Sequence, residues 1–366
     1  MENNAGRATA VDYDVHGLVG VRLVDAAPGD VRAVDTKLGP LRGSLNREPD
    51  IVLRFVERLP TTGLRHVTLD ANGFTDDGFF ILRSNRRPVR VKVGFDGIGS
   101  RCEMVCESGL GSVPLLMAIL NLTMLRKDCV SLHASAFQYQ GRGILVTGWA
   151  KGGKTETLLS FAAQGARYVG DEWILLAGDG QTMYGIPETI RLQDWHIRSL
   201  PHVQQHLGWR KLLLFWLIRR VEGLAKVLPV GLLREAMPAI KRRVNVRLAP
   251  RIIFGDRFGP FVARPEKVFL TLSHDDPGMS VEPVDPSVIA RRMISSIRFE
   301  QLPFLEHHLA FSFAFPERKN AFLDRVHELQ YEILERALRG KDAYVVRHPY
   351  PLSFQELFER MRPYCE

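Results

Sequence analysis

Two glycines five positions apart, followed at once by lysine and threonine, form the strongest chemical signal in this sequence: Gly148-Trp149-Ala150-Lys151-Gly152-Gly153-Lys154-Thr155. Each residue type has a reason to be there. Glycines let consecutive backbone N–H groups turn inward around an anion, Lys154 supplies a point charge for outer phosphates, and Thr155 offers a hydroxyl to Mg²⁺. At ordinary residue frequencies such a pattern arises by chance in a chain this long with probability on the order of 1%. Seventeen positions after Lys154 comes an acidic pair, Asp171-Glu172, interrupting an apolar run. A carboxylate near a bound polyphosphate can orient and deprotonate an attacking hydroxyl.

The elements around the loop are those the chemistry requires. Gly143-Ile144-Leu145-Val146-Thr147 reads as a short buried strand, Thr155–Ala163 as a helix, and Tyr168–Leu176 as a returning strand that carries the acidic pair. Strand, glycine loop, helix and strand make the layout of a nucleotide-binding α/β core, with ATP and Mg²⁺ as the expected ligands. Glu156, in the first turn of the helix, reads equally as a dipole-favoured acid and as a functional one.

A longer set of residues resembles a known family. Leu132-His133-Ala134-Ser135, then the loop, then Glu156-Thr157-Leu158-Leu159, then Gly165-Ala166-Arg167-Tyr168-Val169-Gly170-Asp171-Glu172 is similar to the bacterial HPr kinase/phosphorylase catalytic domain. The resemblance covers about residues 130–195, with weaker echoes at Lys267–Leu272 and Val281–Pro286. It implies an α/β fold: a PEP carboxykinase-like P-loop core with added helices, preceded here by a smaller β-rich (α+β) domain. It also implies serine-type transfer of the γ-phosphoryl of ATP to a hydroxyl on a protein or peptide. Carried over by residue, Asp171 is the base, and His133 stands beside it to hold its orientation. Lys154 and the loop from Gly148 through Trp149, Ala150, Lys151, Gly152 and Gly153 to Thr155 hold the phosphates, while Thr155 and Glu172 hold Mg²⁺. Trp149 is needed for none of these roles.

The chain departs from the family in two places. The family more often has Asp where Glu172 stands, one methylene longer in a site where Mg²⁺ tolerates little misplacement. Its arginine after Pro-Gly is replaced in Pro283-Val284-Asp285-Pro286-Ser287, where only Arg291 or Arg292 could substitute. Nothing matches the loop linked to the reverse, phosphorylase reaction, so the kinase direction is expected. Two alternatives stay open: a small-molecule hydroxyl as acceptor, and a non-catalytic ATP-binding regulatory protein.

The remaining features bound the answer. A chain of 366 residues with 45% apolar and 25% charged side chains reads as two domains, 1–125 and 126–366. In the first, Val89, Val91, Val93 and Phe95 alternate with polar residues as a strand, and Ala71-Asn72-Gly73 suggests a turn. Ser112 can cap a buried helix over Leu115–Leu125 that joins the domains. Within the second domain, a basic helical insertion spans about 205–250 and includes Lys241-Arg242-Arg243. Its run Leu212–Ile218 is expected at core-helix length, with the arginines facing water.

The net charge of +8 favours anionic partners. No nucleic-acid motif accompanies it, and peripheral membrane contact is the lesser reading of the insertion. Four scattered cysteines and a polar Met1–Asp14 point to the cytoplasm. Cys102 and Cys106 lack a second ligand pair and read as structural thiols, while His274, His307 and His308 read as solvated loop residues. A homo-oligomer is what the resembled family implies.

Overall fold

The computed structural model describes residues 8–68, 72–84, 87–227, 244–350 and 352–366. The chain is a mixed α/β protein with several sheets.

Eight strands, the first Ala8–Val15 and the last Cys102–Glu107, build one sheet. Its strands alternate as the sequence predicts, with Val91 and Val93 buried between half-buried Arg90 and Lys92. Asn72 and Gly73 belong to a strand, Asn72–Thr75, which pairs antiparallel with His66–Thr68, so the reversal between these short strands falls between Thr68 and Asn72, just before the expected place; 69–71 lie outside the described residues. One helix, Pro28–Leu38, packs on this sheet. Its Asp30 carboxylate accepts hydrogen bonds from the Ala27 and Gly109 amides, at 3.1 and 2.7 Å, satisfying a helix start and a distant loop together.

The joining helix runs Leu116–Arg126, and Leu116, Ile119, Leu120, Leu122, Met124 and Leu125 are all buried, as an all-round apolar helix must be. It starts without Ser112: Leu115, at φ 59°, turns the chain into the helix. The expected boundary at 125/126 coincides with the end of this helix. One apolar core nevertheless continues across it, because the helix Leu302–Ala314 returns to cover the first sheet. There Phe311 stacks on Phe95 at 4.3 Å, and His307 and His308 sit against Phe79 and Phe95. The two histidines are therefore packing residues on a helix rather than solvated loop residues.

A six-stranded sheet carries the loop. Arg142–Gly148 pairs in parallel with Pro265–His274, which pairs in parallel with Asp342–Pro349. Three parallel strands thus end side by side, with Gly148 opposite Thr271 and Thr271 opposite Val346. In open α/β sheets, this carboxyl edge is where ligands bind. Behind the loop, Ile144 and Val146 pack against Leu158 and Phe161 of the helix Lys154–Ala162, within a second core cluster.

The expected single strand over 168–176 is two strands in two sheets. Arg167–Gly170 joins the six-stranded sheet, and Trp173–Ala177 joins a separate four-stranded one beside Cys129–His133. The break falls on the acidic pair, where Glu172 adopts φ 68°. That left-handed step redirects the chain and leaves both carboxylates at the junction.

The insertion begins with the helix Trp209–Val227, while 228–243, with Lys241-Arg242-Arg243, lie outside the described residues. Its run Leu212–Ile218 is not buried as expected. Phe215 turns inward and Leu212 packs against the core, but Leu213, Leu214, Trp216 and Leu217 are exposed, because the helix lies on the outside of the fold. Among the described residues, no helix is long and apolar enough to cross a membrane.

Candidate functional site

The loop closes between strand and helix on backbone that only glycine supplies at two points. Gly148 has φ 152°, and a Cβ there would lie 2.6 Å from the Thr271 hydroxyl oxygen. Gly153 has φ 98°, and its Cβ would lie 2.4 Å from Nε2 of the buried His348. The same His348 nitrogen sits 3.0 Å from the Gly152 carbonyl oxygen, anchoring the loop to the third parallel strand. Thr271 Oγ1 donates to the Thr147 carbonyl at 3.0 Å, anchoring its start.

Lys154 is 5% exposed, and its ammonium is turned into the loop. It donates to the carbonyls of Trp149 at 2.7 Å and Gly148 at 3.3 Å. Burial holds its pKa below the usual lysine value despite the surrounding carboxylates. The helix that follows has first-turn amides with no intrahelical acceptor and the positive end of its dipole at the loop. Loop, lysine and helix start together give this end of the sheet the donors and positive charge that suit an anion.

The carboxylates come to the same place. Thr155 Oγ1 donates to Asp171 at 3.0 Å, and Ser135 Oγ donates to its other oxygen at 2.5 Å. Asp171 is 3% exposed; burial, together with the neighbouring Glu172 carboxylate, pushes its pKa from 3.8 to about 7. Glu172 Oε2 lies 3.0 Å from His133 Nε2, while His133 Nδ1 lies 2.6 Å from Glu300 Oε1. Burial opposes the His133 charge, but hydrogen bonds to the two glutamates outweigh it and raise its pKa to about 9. The imidazolium is thus clamped at both nitrogens, and its hydrogen bond holds Glu172 below the usual carboxylate range. In these positions His133 fixes Glu172 directly and reaches Asp171 through it.

Glu156 faces away from that cluster, toward His196, at 3.3 Å. Burial works against its ionisation, and the His196 hydrogen bond wins, so its pKa is lowered. Arg291 and Arg292 are both exposed on the helix Pro286–Glu300. Asp285 caps that helix by accepting from the Ser287 amide at 2.8 Å.

Three contributors had no role in the sequence reading. Ser135 sits two residues beyond His133 on the far side of a strand break, where it meets Asp171. Glu300 arrives as the last residue of its helix. Lys37, from the first sheet's helix, forms an ion pair with the buried Glu188, one position after the Pro187 that bridges Asp171. Helical periodicity alone could have placed Lys37 in a last turn, but no local signal names its partner.

Mg²⁺ fits the oxygen donors present. A threonine hydroxyl and Asp171 lie 3.0 Å apart, with Glu172 adjacent in sequence, and Mg²⁺ is ordinarily held by one or two carboxylates together with nucleotide phosphates. Among the described residues, no three or more His, Cys, Asp or Glu side chains gather as a metal cage of their own. Cys102 and Cys106 are buried, and burial pushes both thiols to about 12.

Trp149 stands half exposed on the loop, its ring 4.9 Å from that of Phe299. All five tryptophans lie between positions 149 and 216. Mg-ATP is therefore expected to give a saturable change in intrinsic fluorescence that is reduced in Trp149→Phe. A flat titration at nucleotide concentrations up to millimolar would count against a phosphate site at this loop.

The fold and site together define a mixed α/β protein with a glycine-lysine loop set against a buried carboxylate. Compared with known proteins, the chain matches no family model and no curated protein sequence.

Proposed function

We propose that the protein is an ATP-dependent phosphotransferase of the HPr kinase/phosphorylase type, built on a PEP carboxykinase-like P-loop core. It transfers the γ-phosphoryl of Mg-ATP to a hydroxyl, with serine on a protein or peptide as the acceptor class. The observation that carries this reading is the hydrogen bond at 3.0 Å between Thr155, at the phosphate loop, and Asp171, whose pKa of about 7 suits a general base at neutral pH.

Each residue then has one task. The loop amides and Lys154 hold the β- and γ-phosphates. Asp171 accepts the proton of the acceptor hydroxyl as its oxygen bonds to the γ-phosphorus; the bond from that phosphorus to the β–γ bridging oxygen breaks, and ADP leaves. Thr155 and Glu172 would hold Mg²⁺, which when bound neutralises charge on the phosphates. His133, fixed between Glu172 and Glu300, is a positioning residue for that carboxylate. Ser135 orients Asp171 by donating to it.

Incubation with γ-labelled ATP, Mg²⁺ and a lysate of the source cell tests the proposal. The expected product is a protein- or peptide-bound label that is stable to acid and released by alkali, as a phosphoserine is. ATP binding without any transfer of label would favour a non-catalytic nucleotide-binding protein, and label on a small metabolite would move the acceptor class.

A further inference from the structure

The helix Trp209–Val227 is two-sided in an unusual way. Phe215 is buried in the core, and Arg219 turns back toward Asp194, at 3.7 Å. On the outer side Trp209 is 69% exposed, Leu213 45%, Trp216 46% and Leu217 45%. At about 100° per residue these four positions fall in one sector about 100° wide. Soluble surfaces rarely gather two tryptophans and two leucines in one exposed stripe without a partner for it.

The charges beside the stripe say what that partner is. Arg220 falls at the centre of the same sector, with its guanidinium 5.1 Å from the Trp216 ring centroid. Arg210 falls at its edge, 5.4 Å from the Trp209 ring centroid. The helix sequence carries five basic residues against one acid. A protein partner would match this stripe with apolar surface and a few acids. Alternating tryptophan, leucine and arginine instead matches a boundary where apolar chains meet fixed anions. There the indoles take the headgroup level, and the arginines reach outward to phosphates.

We propose that this face docks on an anionic lipid bilayer, with the helix lying in the plane of the interface. The helix is not long and apolar enough to cross the bilayer, so it lies on the membrane. Surface attraction to acidic lipid adds to burial of the apolar stripe, and two arginines together are worth on the order of a tenfold change in partitioning or more.

The full-length protein should co-sediment with vesicles of phosphatidylcholine containing about one-third phosphatidylserine, and at least about tenfold less with phosphatidylcholine alone. Trp216→Ser/Leu217→Ser should weaken binding to the anionic vesicles at least about tenfold, with far-UV dichroism and melting unchanged, since both side chains are exposed. Arg210→Gln/Arg220→Gln should abolish most of the preference for anionic over neutral vesicles. No sedimentation with either vesicle overturns the proposal, as does binding that ignores both double variants. A monomer–dimer equilibrium removed by Trp216→Ser/Leu217→Ser, in protein that ignores vesicles, would overturn it by assigning the stripe to a second copy of the chain.

Discussion

Asp171→Asn is expected to lower phosphoryl transfer by about 10²- to 10⁴-fold, the usual worth of a positioned general base, while ATP affinity stays within a few-fold of the parent. The substitution keeps the shape of the side chain. An amide oxygen can still accept from Ser135 or Thr155, each now within 3.0 Å of a carboxylate oxygen, but the amide cannot take a proton at neutral pH. Burial pushes the Asp171 pKa to about 7, so removing the charge relieves a desolvation cost and the variant should fold. Single-turnover transfer and calorimetric ATP binding, measured side by side, decide the matter. Transfer unchanged in Asp171→Asn would remove this residue from the chemistry and with it the proposed mechanism.

The pH dependence gives the same residue a second readout. Below about 7 the carboxyl holds its proton, so transfer should fall as the medium is acidified through that value, and the residual activity of Asp171→Asn should not follow it. The stability effect has the opposite sense to that of an ordinary paired carboxylate. Between 3.8 and about 7 the folded chain keeps a proton that the unfolded chain has released. The contribution of this group to stability therefore falls as pH rises across that window. His133 behaves differently: its pKa, raised to about 9, keeps the clamp between Glu172 and Glu300 intact through neutral pH and releases it as pH climbs past that value.

The part of the site that is local in sequence was legible, and the part that depends on topology was not. Gly148, Gly153, Lys154 and Thr155 could be singled out because the motif packs a backbone requirement and a charge into eight residues, and the structure places the positive-φ glycines and the buried lysine there. Asp171 was visible as a polar interruption of an apolar run, but the change of sheet at that point was not. It depends on Glu172 taking φ 68°, a conformation its residue type does not announce. Glu300 reaches His133 from 167 positions away, and Lys37 reaches Glu188 from 151. Neither spacing means anything until the sheets are assembled. The alternating strand around Val91 and the buried joining helix were both legible, the first from its period of two and the second from a run that is apolar on every side. The covering of the first sheet by Leu302–Ala314 was hidden, because an aromatic helix near the end of a chain names no destination.

Lys154→Ala should weaken ATP binding by about 10- to 150-fold, the range set by losing one charge-assisted hydrogen bond of ~1.5–3 kcal/mol. The ammonium now donates to the Trp149 and Gly148 carbonyls, so it is already in the loop, at the positive end of the helix Lys154–Ala162. An incoming phosphate has only to exchange those two acceptors for its own oxygens. The structural cost of the substitution has two opposing parts: two loop carbonyls lose a donor, while a buried ammonium, its pKa held low by desolvation, is removed from the interior. Their near balance predicts a small change in melting temperature beside a large change in affinity. That separation is what distinguishes a ligand-binding lysine from a structural one. Lys154→Arg, too broad for the same space beside Gly148, should fail to restore affinity although it keeps the charge. Fluorescence or calorimetric titration with Mg-ATP checks the pair. An Ala variant that binds as tightly as the parent would mean that the loop folds as a phosphate cradle without serving as one, leaving the cluster around Asp171 without a substrate.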